Sequence, residues 1–332
     1  MVPTFKLNDG HSIPAIGIGC FIGKPGGGDQ VREMVEHALK IGYRHIDTAF
    51  MYENEQYVGQ AIRNSGVPRE ELYVVTKLFG TYHGNVEEGL DKSLKALGLD
   101  YVDLYLMHWP QGYDPATGRP LGSNEHPTFV DTWKAMEKLP ATGKVRSIGI
   151  SNFSVKNLDV LLPQVTTVPA VNQVWSSFHV QISSMILSRV LLKMEINPFY
   201  PQPAVREYCK KKGIHITAYS TFGLGNADLL SHPVLQTIAA RTGYTTAQVI
   251  TGWVIKKGYS SIPRSFNHDR LAQNLKYAEI TSEDEAKIDV MYKAPGVHRT
   301  SWGHFCADGM ILGWTYEQLG FNIRDGGSVI ED

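Results

Sequence analysis

Cysteine is scarce in this 332-residue chain, with three residues, Cys20, Cys209 and Cys306, far apart in sequence. No disulfide framework can be drawn from such spacing, and it suits a reducing compartment. No apolar run reaches the roughly 18 residues that a membrane-spanning helix needs. Excess charge of either sign is missing as well: 32 basic side chains face 33 acidic ones, so there is no electrostatic footprint for nucleic acid or an anionic membrane. The N-terminal MVPTFKLNDG has neither the basic start nor the apolar core of a signal peptide. These absences predict a cytoplasmic globular protein without a nucleic-acid or membrane partner.

Several catalytic signatures are absent too. There is no G-x-G-x-x-G after the first strand pattern, and GKPGGGD at 23–29 lacks both that spacing and a Walker lysine and hydroxyl, so it reads as a flexible connection. His45, His108 and Asp47 form no H-E-x-x-H or similar ligand pair, which leaves no metal site to expect. A hydrolase would need G-x-S-x-G, which is not found.

What is present is alternation. TFKL and SIPAIGIG flank Asn8-Asp9-Gly10, a strong hairpin turn. Strand patterns follow near 43–49, 72–78, 102–109, 145–152, 169–173, 215–220 and 260–265, and SIPAIGIG completes eight. Helical patterns lie between them at 29–41, 54–64, 86–97, 128–139, 203–212 and 246–257. Eight such units without a Pro/Gly/Ser-rich linker predict an α/β fold, a single (β/α)8 TIM barrel over 1–332 with an N-terminal β-hairpin. A doubly wound sheet is the alternative.

In such a barrel, chemistry gathers at the C-terminal ends of the strands. Those ends carry Asp47, Lys77, His108, Ser151 and Asn152, Gln173, Ser220, and Arg264 with Ser265. Taken singly, each has a plain structural explanation: an Asp caps a helix, a Lys snorkels, a His sits satisfied in the core. Together, on consecutive strands, they are a constellation. GYRHIDTAFMYENE at 42–55 also places an Asp inside the apolar phase of a strand, where a cap or a loop does not explain it.

These segments, with LGLDYVDLYLMHWP at 97–110, GISNF at 149–153 and IPRS at 262–265 followed by Arg270 and Asn274, resemble the aldo-keto reductase family as far as about residue 274. The resemblance implies an NADP-dependent oxidoreductase acting on CH–OH groups, which reduces an aldehyde or ketone reversibly with NADPH. Tyr52 is implied as proton donor, Lys77 and Asp47 as the groups that tune it, and His108 as the group that orients the carbonyl. An ammonium beside a phenol lowers its pKa from about 10, and a carboxylate keeps that ammonium charged. Ser151, Asn152 and Gln173 are implied to hold the nicotinamide carboxamide, Tyr219 to stack on the ring, and Ser220 and Phe222 to follow the pyrophosphate. Arg264, Ser265, Asn267 and Arg270 fall where the family holds the adenosine 2′-phosphate, with Gln273 and Asn274 at the adenine. Arg264 replaces the commoner lysine, and a guanidinium suits a phosphate, favouring NADPH over NADH. Phe21 and Trp109 are implied to line an aromatic pocket for the small-molecule carbonyl or alcohol substrate, and the tail 294–332 to shape specificity.

Residues 174–193 depart from the pattern. Without them, PAVNQ runs directly into MEINPFYPQ, the family's expected continuation. The segment begins with Val, whose codons start GT, and ends with Lys, whose codon can be AAG, and it keeps the frame. It reads as an unspliced intron; a lid helix over the amphipathic ILSRVLLK is the alternative. A spoiled cofactor site would leave a nicotinamide-binding regulatory subunit with little turnover. A third reading, an isomerase or aldolase using Lys77 as Schiff base, needs a lysine without a carboxylate partner, and Asp47 opposes it.

Overall fold

The computed structural model describes residues 2–174, 180–181, 188–190, 196–223, 225–294 and 310–321. A hairpin of β1 (Thr4–Lys6) and β2 (Ser12–Pro14) closes one end of the molecule. The barrel follows with β3 (Ile18–Gly19), β4 (His45–Asp47), β5 (Tyr73–Leu78), β6 (Val102–Met107), β7 (Val145–Ser151) and β8 (Val171–Val174). A short antiparallel ribbon, β9 (Val180–Gln181) with β10 (Ser188–Val190), precedes β11 (His215–Ala218) and β12 (Ser260–Ser261). The sheet runs β12-β11-β8-β7-β6-β5-β4-β3 with every pair parallel. Its two edges meet through a parallel bridge between Ile16 and Ser261, where Gly17 N donates to Ser261 O at 2.9 Å and Ser261 N to Ala15 O at 2.8 Å. The eight strands therefore close on themselves as a (β/α)8 barrel.

SIPAIGIG does two jobs. Its first residues pair antiparallel with β1 in the hairpin and its last pair parallel with β4 in the barrel. The strands β5 and β6 are buried along their whole length, as strands covered on both faces must be.

The six expected helices form within two residues of their predicted starts, as Gly28–Lys40, Glu55–Ser65, Val86–Leu97, Phe129–Met136, Pro203–Lys212 and Thr246–Lys256. Val86–Leu97 shows why: Val86, Leu90, Leu94 and Leu97 bury one stripe, Asn85 caps the start by accepting from Glu88 N, and Gly98 ends it at φ 65°. Among the described residues, the pattern missed Val155–Leu161, Pro233–Thr242, His268–Asn274 and Ser282–Asp289, and the single turns Ala227–Leu230 and Tyr316–Leu319. Two of these have only seven residues, too few to display a helical repeat. Of the segment 186–193, Ser188–Val190 are extended and paired with β9 rather than helical, and the rest lies outside the described residues.

Candidate active site

Asp47 ends β4 and Lys77 lies near the end of β5; Tyr52 sits in a single tight turn, Phe50–Tyr52, and His108 directly follows β6. Parallel pairing of neighbouring strands brings all four to one end of the barrel. Asp47 and Lys77 are fully buried, Tyr52 and His108 almost so. Lys77 Nζ donates to Asp47 Oδ1 at 2.7 Å and to the Thr48 carbonyl at 2.7 Å, and stands 3.4 Å from the Tyr52 hydroxyl. The Tyr52 ring meets Phe21 edge-on at 4.9 Å and His108 at 5.7 Å between centroids. Trp109 is buried beside them.

The turn that carries Tyr52 is braced from within. Thr48 Oγ1 donates to Asn54 Oδ1 at 2.7 Å, and Asn54 Nδ2 donates to the Cys20 carbonyl at 2.9 Å. Glu55 is buried and accepts from Thr76 Oγ1 at 2.5 Å. Asn54 and Glu55 thus do more than begin a helix. Their place inside the 42–55 motif was the available signal for this bracing, but residue type alone pointed to a surface cap. His45, on the same strand as Asp47, turns away to Pro14, with Nδ1 3.1 Å from its carbonyl.

The electrostatics differ in one respect from the expectation. Burial first, then Asp47, Tyr219 and Cys20, push the Tyr52 phenol well above its ordinary pKa, so Lys77 does not lower it on balance. Desolvation in the barrel mouth outweighs one ammonium. Burial also lowers Lys77, opposed by Asp47, Cys20 and Glu55. Burial and then Lys77 hold His108 far below its usual value, so the imidazole is neutral. The cluster therefore presents a protonated phenol and a neutral imidazole.

A second group flanks it. Ser151 Oγ donates to the Gln173 carbonyl at 2.8 Å, and Asn152 Nδ2 donates to the His108 carbonyl at 2.8 Å and to Ser151 Oγ at 3.1 Å. Asn152 takes a left-handed φ of 65°, which Asn tolerates better than most residues. Its Oδ1 is buried and has no hydrogen-bond partner among the described residues. Such an acceptor fits the N–H of a carboxamide. The Gln173 amide goes elsewhere, with Nε2 donating to Asp47 Oδ2 at 2.6 Å. Tyr219 is buried just past β11, and Ser220 begins a tight turn at φ 46° that Gly223 N closes onto its carbonyl; Phe222 lies within the turn, half-buried.

Beyond β12, Arg264 is exposed, its guanidinium 5.2 Å from the Phe266 ring centroid. Ser265 Oγ accepts from Asn267 N at 3.1 Å and Arg270 Nε at 3.3 Å, and Asn267 Oδ1 accepts from Arg270 N. Gln273 is exposed while its carbonyl accepts from Gln248 Nε2; Asn274 is buried. Two guanidinium groups and a hydroxyl thus share one short segment, a donor set suited to a phosphate.

A closed barrel with a lysine-linked tyrosine and a neutral histidine at its mouth, and two arginines and a serine just past its last strand, suits a dinucleotide-dependent oxidoreductase. The profile of the aldo/keto reductase family matches residues 16–293, and the chain belongs to that family. It is 41% identical over 319 residues to glycerol 2-dehydrogenase (NADP(+)) of Saccharomyces cerevisiae, covering 90% of this chain and 95% of that protein. It is 40% identical over 323 residues to the yeast aldehyde reductase YPR1, covering 91% and 96%. Among solved structures, the Bombyx mori aldo-keto reductase in complex with NADP superposes with a TM-score of 0.75 at 33% identity, covering 88% of this chain and 93% of that one.

Proposed function

We propose that this chain reduces a small aldehyde or ketone to the alcohol with NADPH, reversibly, and that Tyr52 gives the proton. The observation that carries the assignment of Tyr52 is the buried run from Asp47 Oδ1 to Lys77 Nζ to the Tyr52 hydroxyl, at 2.7 and 3.4 Å. When bound, the nicotinamide supplies the hydride. Charge then grows on the carbonyl oxygen, and the phenol, kept protonated by its burial, is in the state needed to neutralise it. Lys77 stabilises the phenolate left behind, and Asp47 keeps Lys77 charged and aimed. The neutral imidazole of His108 orients the same oxygen. Phe21 and Trp109 exclude water and give the substrate an apolar wall.

Ser151, Asn152 and Gln173 are assigned to the carboxamide, Tyr219 to the ring face, and Ser220 and Phe222 to the pyrophosphate. Arg264, Ser265, Asn267 and Arg270 are assigned to the 2′-phosphate, and Gln273 and Asn274 to the adenine. The relatives' names favour small hydroxylated carbonyl compounds and simple aldehydes as substrates. A Schiff base on Lys77 is disfavoured, since its ammonium already donates to Asp47 and Thr48. Nothing favours the regulatory subunit.

The tail is assigned to the substrate pocket. Gln111 Nε2, three residues past His108, donates to the Ile311 carbonyl at 2.9 Å; Trp314 Nε1 donates to Leu121 O at 2.7 Å and Ser154 Oγ to Leu319 O at 2.6 Å. Among the described residues no helix is long and apolar enough to cross a membrane, and we place the protein in the cytoplasm.

The test follows loss of NADPH absorbance with glyceraldehyde. Turnover is expected, falling about 10²–10⁴-fold in Tyr52→Phe with NADPH binding kept. A Tyr52→Phe enzyme as fast as the parent would remove the tyrosine from the reaction.

A further inference from the structure

One polar contact that crosses the barrel mouth is unexpected from the strand order. Asp47 ends β4 and Gln173 lies in β8, and these strands are not neighbours in the sheet. Yet Gln173 Nε2 reaches Asp47 Oδ2 at 2.6 Å, while Lys77 Nζ takes the other oxygen, Oδ1, at 2.7 Å. Both partners are essentially excluded from water. The main chain of the same glutamine accepts from Ser151 Oγ at 2.8 Å and from Asn152 N at 3.2 Å, and Asn152 Nδ2 continues to the His108 carbonyl. Two runs of hydrogen bonds, joined through the covalent frame of Gln173, therefore link the Tyr52 hydroxyl, through Lys77 and Asp47, to Ser151, Asn152 and the strand end that carries His108.

We propose that Gln173 is a positioning residue for proton transfer: its amide fixes the second oxygen of Asp47 and partly neutralises that carboxylate, and so sets the charge that Lys77 and Tyr52 experience. This rests on the reductase reading above and adds to the glutamine's assignment at the carboxamide. A carboxylate with two well-placed donors is held in one rotamer, and a donated hydrogen bond drains negative potential from it. Remove the donor, and the full carboxylate field falls on its neighbours. The groups facing Tyr52 are Lys77, His108, Asp47, Tyr219 and Cys20; those facing Lys77 are Asp47, Tyr52, Cys20, Glu55, His45 and His108. Of these, Asp47 is the one that Gln173 touches.

The variant is Gln173→Met, which keeps length and loses the donor. At saturating NADPH, the alkaline limb of the kcat profile for reduction is expected to move up by about one pH unit, since a stronger carboxylate field holds the phenol proton more tightly. In an Asp47→Asn background the same substitution is expected to move the limb no further, because the two residues act through one bond. An unmoved limb in Gln173→Met, or an equal shift in both backgrounds, overturns the proposal. A glutamine that serves the carboxamide alone would raise the NADPH dissociation constant and leave the limb in place. A parent chain without NADPH turnover would defeat the reductase reading instead. Urea unfolding of the same four chains, without cofactor, then judges the contact directly: coupled losses support it and additive losses overturn it.

Discussion

Arg264 and Arg270 lie on either side of Ser265 in sequence, and Arg270 Nε donates to that hydroxyl at 3.3 Å. Arg264 is exposed with its guanidinium over the Phe266 ring, and it makes no ion pair among the described residues, so its removal leaves no buried charge behind. A hydrogen bond to a charged group is worth about 1.5–3 kcal/mol, equivalent to roughly 10–100-fold in binding. Arg264→Met and Arg270→Met should each raise the KM for NADPH within that range and leave the KM for NADH nearly unchanged. Steady-state kinetics with both cofactors checks this. Equal losses for both would place the pair away from the 2′-phosphate. The two arginines were legible as residues, because IPRS and the following Arg lie close in sequence. The partner of Gln173 was not legible, since it depends on a contact between residues 126 positions apart.

At the scale of elements, two features govern how the site is held. Helix Glu55–Ser65 starts right after the Tyr52 turn and packs on Val86–Leu97 so closely that a Cβ at Gly59 would lie 1.9 Å from the Leu97 carbonyl oxygen. That oxygen accepts from Arg63 Nη1 at 2.9 Å, so it is not free to move aside. Gly59→Ala should therefore destabilise by at least the 1–3 kcal/mol typical of overpacking, with kcat per folded molecule little changed. Urea denaturation and active-site titration separate the two effects. A midpoint equal to the parent's would show that the helices part easily.

The second feature is the segment 174–193, which we propose is a retained intron. It leaves from the end of β8, one residue after Gln173. Joining Gln173 to Met194 should preserve NADPH turnover and change stability only modestly, because loop-closure entropy grows slowly with length, by about 0.6 kcal/mol per doubling. The processed message should lack the corresponding codons. A message that keeps them, together with loss of turnover on excision, would make the segment part of the enzyme.

For the molecule as a whole, burial of neutral histidines is expected to make stability fall in acid. His83 is buried, neither ring nitrogen has a partner among the described residues, and burial pushes its imidazole down to about 3. His215, partly buried at the start of β11, is likewise lowered to about 3, and His45 is lowered by burial against the opposing pull of Asp47. A folded-state value below the unfolded one means that the unfolded chain binds the proton first. The contribution is thus complete above pH 6.5, the ordinary value, and is lost as pH falls from there towards about 3. Each such histidine costs about 1.4 kcal/mol per pH unit within that window. The urea midpoint should fall between pH 7 and pH 5, and His83→Leu should flatten that fall. A slope unchanged by the substitution would show that His83 is already protonated in the folded barrel or that it titrates elsewhere.

Which features could be read before folding follows a physical line. Strand alternation, helix stripes, the Asn8-Asp9-Gly10 turn and the 42–55 motif are patterns of neighbouring residues, so the eight strands, the barrel and the strand-end positions of Asp47, Lys77 and His108 were legible in the chain, while Tyr52 was singled out by the family resemblance of its motif. Six helices among the described residues escaped notice because their patterns were short or weak, and SIPAIGIG was split because pairing partners come from elsewhere in the molecule. The high proton affinity of Tyr52, the turning of Asn54 and Glu55 inward, and the Gln173–Asp47 contact all arise from closure of the barrel. Desolvation and cross-barrel hydrogen bonds depend on what surrounds a group in space, and no stretch of neighbouring residues contains that information.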